Sequence, residues 1–240
     1  MKLKNKFALV TGASTGIGRA IAVEFAKEGA IVGLAARSSD GLNETLKLVN
    51  KAGGKGEIFQ IDLRDIKAIQ NLAKKIKEKW KRVDILVNVA GIYHGKEKAY
   101  AGIDFEKYST EEILETYEVG INAPTFLSHQ LIPLMGKGSK IINISGTFES
   151  GAKGWLPYFV SKKVIEDLTV GLSQELREKQ IQVNCISPSD TLTEAYKKFF
   201  PEFAKEENCV KPEDVAHLAT FLASGEADNI TGQIIVIKKK

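Results

Sequence analysis

Short runs of apolar and β-branched residues alternate along this chain with longer stretches of helical periodicity, and that order constrains the fold more than any single motif. The runs FALVTG, AIVGLAA, GEIFQID and VDILVNVAG are separated by helical patterns over 16–28, 42–51 and 66–81. The second half continues with a long helix over 109–135, the run SKIINIS, a helix over 156–179, IQVNCISP, a helix over 212–224 and GQIIVI. Helices between successive strands supply crossover connections, and these make the strands parallel. Strands that read as continuous apolar runs are covered on both faces. The expected fold is therefore α/β of Rossmann type, a doubly wound, three-layer αβα sandwich with a seven-stranded parallel sheet. No repeat or linker divides the sequence, so residues 1–240 are expected to form one domain. The least regular stretches, about 92–108 and 188–208, each follow the carboxyl end of a strand, where open sheets of this kind bind ligands. They are the candidates for substrate contact.

Composition narrows the function classes. An apolar share of 43% and a charged share of 27% fit an ordinary soluble domain, and no run approaches the roughly 18 apolar residues of a membrane span. The N-terminal MKLKNKFALVTG passes from a short basic lead into a strand, without the apolar stretch and cleavage site of a secretory signal. A cytoplasmic protein without a membrane partner is expected. The net charge is +4, but the lysines are spread over MKLKNK, KKIKEKWKR and the closing KKK instead of one aromatic-bearing surface, which argues against a nucleic-acid partner. Cys185 and Cys209 have no metal or redox spacing and are expected as free buried thiols. His94, His129 and His217 lie far apart in the sequence, so no metal site is expected.

Between the first strand and the first helix stands TGASTGIGRA. Gly12, Gly16 and Gly18 would let the backbone turn tightly and approach a pyrophosphate, while the amides and dipole of a helix N-terminus favour negative charge. Ser14, Thr15 and Ile17 complete this expected dinucleotide-binding loop. An acidic residue at the end of the second strand would accept from a free ribose 2′-hydroxyl; here Ala36 is followed by Arg37 and Ser38, whose donors suit a phosphate. The sequence favours NADP(H), with NAD(H) as the other possibility.

Tyr158 and Lys162 stand four apart at the opening of the helix GWLPYFVSKKVIEDL, thirteen residues after Ser145, with Asn122 inside the preceding long helix. Taken with TGASTGIG, NVAG and the closing ITGQIIVI, these residues make the whole chain resemble a classical short-chain dehydrogenase/reductase. The resemblance implies a catalytic group of Ser145, Tyr158, Lys162 and Asn122. In it Tyr158 delivers the proton that balances hydride transfer to a carbonyl, and Ser145 donates to the substrate oxygen. Lys162 holds the nicotinamide ribose, and Asn122 positions a water that reaches Lys162. An ammonium one turn away is expected to lower the phenol's pKa from about 10 toward working pH. A nucleotide-binding regulator of the same fold is the alternative, but such relatives typically lose the tyrosine or lysine, and both are present here.

The resemblance extends to Asp62 and Leu63 beside the adenine, and to Asn88, Ala90 and Gly91 along the adenosine half. It also implies Pro188, Thr191 and Thr193 beside the nicotinamide. Two positions depart from the family pattern. Val89 replaces a second asparagine, with Asn88 expected to tie neighbouring strands. Ser189 replaces a glycine, which is expected to alter the loop's backbone. Asp190 either contacts a polar substrate or caps the following helix. Tyr93, His94, Phe148, Trp155 and Phe199 are the candidate substrate-pocket residues for a ketone or 3-oxoacyl substrate. The resemblance further implies a homotetramer, with a dimer as the other assembly.

Overall fold

The computed structural model describes residues 1–148 and 151–239; Lys240, the last of the closing lysine run, lies outside the description. The strands are β1 (Phe7–Thr11), β2 (Ile31–Ala36), β3 (Lys55–Gln60), β4 (Ile85–Asn88), β5 (Lys140–Ile144), β6 (Gln182–Pro188) and β7 (Ile234–Ile237). They pair in parallel in the order β3-β2-β1-β4-β5-β6-β7, the expected seven-stranded sheet. The chain winds outward from β1 in one direction and then from β4 in the other. This reversal opens a crevice at the carboxyl ends of β1 and β4.

Side chains alternate across the sheet, so each strand feeds two cores. On one face Ala8, Val10, Val32, Leu34, Val87 and Ile142 pack beneath helices α1 (Gly16–Lys27), α2 (Ser39–Lys51) and α8 (Pro212–Ala223). On the other, Leu9, Leu86, Ile141 and Val183 meet α3 (Ile66–Lys79), α5 (Ala123–Leu131) and the end of α6 (Leu156–Glu175). Because both faces are covered, the strands read as continuous apolar runs instead of alternating ones. Cys185 and Cys209 are free and buried. Among the described residues no helix is long and apolar enough to cross a membrane.

The long helix expected over 109–135 is interrupted. It divides into α4 (Thr110–Tyr117), a π turn at Glu118–Asn122, α5 and a short 3-10 turn at Ile132–Leu134. Pro124 gives a physical cause, because its ring has no N–H and clashes with the carbonyl four residues back in a continuous α-helix. The π turn puts Gly120 against α6, where an added Cβ would lie 2.9 Å from Ser161 Cβ, and leaves Asn122 exposed.

The stretch expected to be irregular over 188–208 contains a short helix, α7 (Glu194–Phe199). Its N-cap is Thr193, whose side chain accepts from the Tyr196 amide. Asp190 is therefore not the cap; its carboxylate lies near the Tyr196 phenol, whose pKa is raised by burial and by that neighbouring charge. Ser189 lies outside the left-handed region of backbone space, so replacing the glycine brings no strain of that kind here.

Candidate active site

The crevice at the strand ends is a cleft of about 1110 Å³, reaching from Gly12, Arg37 and Asp62 to Tyr158, Trp155 and Phe200. Its first wall is built by missing side chains. Gly12 takes φ +64°, and a Cβ on Gly18 would lie 2.2 Å from the Gly12 carbonyl oxygen, so α1 starts in direct contact with the preceding turn. The amides at the start of α1 then face the cleft. One is already engaged, because Gly16 N donates to Glu194 Oε2 at 3.1 Å. Glu194 also pairs with Arg19 at 3.0 Å, and Arg19 donates to the Ser14 carbonyl at 2.6 Å. Burial works against the Glu194 carboxylate's charge, but donation from its own amide, the Thr15 hydroxyl, Arg19 and the Gly16 amide holds its pKa below the ordinary value.

Arg37 lies exposed at the rim, and its guanidinium has no hydrogen bond or ion pair among the described residues. Ser38 caps α2 by accepting from Gly41 N at 3.1 Å. Asp62 is gripped by Arg64, whose hydrogen bonds are the main reason its pKa is depressed. Leu63 is buried beside it. Asn88 performs the expected strand-tying task. Its Nδ2 donates to Asn143 Oδ1 at 2.8 Å, and Asn143 in turn donates to Thr169 of α6 at 2.9 Å. Val89 and Ala90 send their amides to Thr11 Oγ1, which closes β1 against β4.

Tyr158 and Lys162 project from the first turns of α6. Lys162 is 4% exposed, and its Nζ donates to the Ile144 carbonyl at 3.0 Å and lies 5.1 Å from the centre of the Tyr158 ring. Gly91 backs it closely enough that an added Cβ would sit 3.2 Å from Nζ. Burial lowers the Lys162 pKa to about 8 and drives that of Tyr158 well above its ordinary value. The expected depression of the phenol's pKa is thus corrected. The ammonium lies against the ring, and the apolar surroundings penalise a phenolate more than that placement helps it.

Ser145 and Asn122 do not converge on Tyr158 in the expected way. Ser145 is 3% exposed and its hydroxyl donates to Glu166 Oε1 at 2.9 Å, on the side where β5 and β6 meet α6. Asn122 ends the π turn, is exposed and does not line the cleft. Of the four expected catalytic residues, Ser145, Tyr158 and Lys162 line the cleft, the Ser145 hydroxyl being engaged by Glu166, and Asn122 lies outside the lining.

A family model described as enoyl-(acyl carrier protein) reductase matches residues 12–239. The 3-oxoacyl-[acyl-carrier-protein] reductase FabG of Thermotoga maritima is 30% identical, over 99% of this chain and 98% of its own. A 2-dehydro-3-deoxy-D-gluconate 5-dehydrogenase of Bacillus subtilis is 34% identical over 98% and 94%. A crystal structure of a short-chain dehydrogenase from Burkholderia cenocepacia in complex with NADP superposes with a TM-score of 0.88 at 28% identity, covering 99% of this chain and 98% of that one. The chain is a classical short-chain dehydrogenase/reductase. It belongs to a family of oxidoreductases.

At the far end of the cleft this short-chain dehydrogenase/reductase carries a cluster of rings. Tyr93 lies 5.5 Å from Tyr158 and 6.3 Å from Trp155, Phe148 lies 6.0 Å from Tyr158, and Phe199 packs on His94 at 4.6 Å. Burial pushes the Tyr93 phenol up to about 12; the neighbouring Tyr158 adds to the shift and a hydrogen bond with Thr193 opposes it. Of the five expected pocket residues, Tyr93, His94, Phe148 and Trp155 line the cleft, whereas Phe199 backs His94 and is not part of the lining. Sequence reasoning missed Phe200, which lies 5.5 Å from Trp155 and 6.4 Å from Tyr93, and it missed Glu166 and Glu194. The adjacent pair Phe199 and Phe200 was a visible signal. Which ring faces inward depends on the phase of a helix too short to recognise.

Proposed function

We propose that this protein is an NADPH-dependent carbonyl reductase acting on a ketone or 3-oxoacyl substrate, working in the reverse sense on a secondary alcohol. The observation that carries the reading is the placement of Tyr158 and Lys162 in the same cleft as the glycine turn at the start of α1. The residues fit a nicotinamide dinucleotide. Glycines bring the start of α1 close to where a pyrophosphate would lie, with the Gly16 amide held by Glu194 until such a ligand displaces it, and Arg37 has a guanidinium without a hydrogen bond that could meet a 2′-phosphate. Ser14, Thr15, Ile17, Asp62, Ala90, Gly91, Thr191 and Thr193 line the same cleft along the rest of such a ligand.

When bound, the nicotinamide would supply the hydride. Tyr158, kept protonated at neutral pH by its apolar surroundings, donates its proton to the carbonyl oxygen as negative charge builds there. Lys162 stabilises the phenolate that results, and with a pKa of about 8 it is poised to pass a proton to it near neutral pH. The rings of Tyr93, Phe148, Trp155 and Phe200 exclude water from the reacting carbon. Relatives named for a 3-oxoacyl thioester and for a sugar acid share the fold, so the carbonyl chemistry is the common factor. A homotetramer fits this reading, supported by the edge strand β7, which leaves Ile234 and Val236 exposed; light scattering would check it.

The test is titration of NADPH and NADH into wild type and Tyr158→Phe, followed by oxidation of NADPH over a panel of ketones, quinones and 3-oxoacyl thioesters. Both proteins should bind NADPH and only wild type should consume it. Binding without turnover by either would sink the reductase reading.

A further inference from the structure

Resting on the reductase reading, we infer that Ser145 is a structural clamp and that the position from which a hydroxyl could reach the reacting oxygen is held by Gly146, leaving Tyr158 without a serine partner. A serine has one O–H to give. That of Ser145 is given to Glu166 Oε1 at 2.9 Å, a charge-assisted bond, and the same oxygen receives Ser187 Oγ at 3.4 Å from β6. Glu166 is itself pinned by Lys163 at 2.8 Å, and its side chain is 15% exposed. The cluster joins the ends of β5 and β6 to α6. Turning Ser145 toward a substrate would strip Oε1 of a largely buried carboxylate of the shorter of its two hydroxyl bonds.

The direction of β5 supports the assignment. Asn143, two residues earlier, also points at α6, where it donates to Thr169, whereas Ile144 packs in the opposite core. Ser145 continues the Asn143 side. Ser145 and the following residue, Gly146, both border the cleft, but the Ser145 hydroxyl is turned to Glu166, whereas among the described residues, chain neighbours aside, the one atom within 4 Å of a Cβ built on Gly146 is the Pro188 carbonyl oxygen at 3.8 Å. Two residues on, Phe148 lies against the Tyr158 ring. A side chain at 146 would therefore have room in the cleft that Tyr158 also lines, and the sequence supplies none.

The test compares Ser145→Ala, Gly146→Ser and Tyr158→Phe in NADPH oxidation, with NADPH affinity measured separately and thermal melting of Ser145→Ala, Glu166→Ala and their double variant. Ser145→Ala should keep kcat within about threefold, because removing a true donor to a developing oxyanion costs about 10²–10³. Gly146→Ser should raise kcat by about tenfold or more by adding such a donor, including from an undetectable wild-type rate. A 10²-fold loss in Ser145→Ala at unchanged NADPH affinity would overturn the assignment. The melting arm stands apart from catalysis. Ser145→Ala and Glu166→Ala should each lower Tm, with the double variant falling by clearly less than the sum, because both remove one interaction. Fully additive shifts would overturn the clamp even if the kinetics agreed. Turnover surviving in Tyr158→Phe would instead remove the reductase reading and leave the clamp to the melting result.

Discussion

At the scale of single residues, the site is governed by burial. Lys162 has its pKa lowered to about 8 from 10.5, so between those values the unfolded chain binds a proton that the folded chain does not. Stability therefore rises with pH across that window, and below about 8 the full cost of burying the ammonium is present. The shift corresponds to about 3 kcal/mol, offset by about 1 kcal/mol from the bond to Ile144. Lys162→Met should thus be about 1–2 kcal/mol more stable than wild type at pH 7 and lose that advantage by pH 10.5, as urea melts at several pH values would show, while its reductase activity disappears. Arg37 makes the opposite kind of prediction, since its guanidinium is exposed and makes no hydrogen bond among the described residues, reaching Asp62 only through its charge. Arg37→Ala should weaken NADPH binding by about ten- to a hundredfold and leave NADH unchanged, the size of one charged hydrogen-bonded contact to phosphate. Equal losses for both cofactors would contradict the role. The glycine turn and the tyrosine–lysine pair were legible because each is local. Ser145 was not, because shifting one residue along a strand end turns a side chain to the other face and only Glu166, 21 residues away, reveals which face it takes. The raised phenol pKa was equally hidden, since it depends on rings drawn from 93, 148, 155 and 200.

At the scale of elements, the strands declared themselves and one helix did not. Runs such as ILVN and KIINI are apolar on both faces because helices cover both. The periodicity across 109–135 continues through a π turn, so the pattern reads as one helix while the geometry changes phase at Gly120. Asn122 is misplaced by that phase change, which Pro124 signals in the sequence only to a reader who asks where its carbonyl clash would fall. Gly120 is the contact point between this broken helix and α6, one residue from Lys162. Gly120→Ala would place Cβ 2.9 Å from Ser161 Cβ, and neither helix backbone can yield cheaply. Overpacking of this kind costs about 1–3 kcal/mol, reduced by the better helix propensity of alanine, so a net loss of about 1–2 kcal/mol is expected in thermal melts. An unchanged Tm would show that the two helices are free to slide apart.

At the scale of the whole molecule, α7 and the turn before it are moored at both ends of the cleft. Glu194 holds the start of α1 through Gly16 and Arg19, while Phe199 and Phe200 close on His94, Tyr93 and Trp155. A dinucleotide arriving at the α1 amides meets a carboxylate that never diffuses away, because the chain fixes its local concentration. Such a competitor acts on time as well as on affinity. In stopped-flow mixing, the observed association rate should climb with NADPH concentration and then level off at the rate at which the tethered carboxylate lets go, and Glu194→Gln should lift that ceiling. A rate that stays linear at all concentrations in wild type would mean that the mooring never stands in the ligand's way.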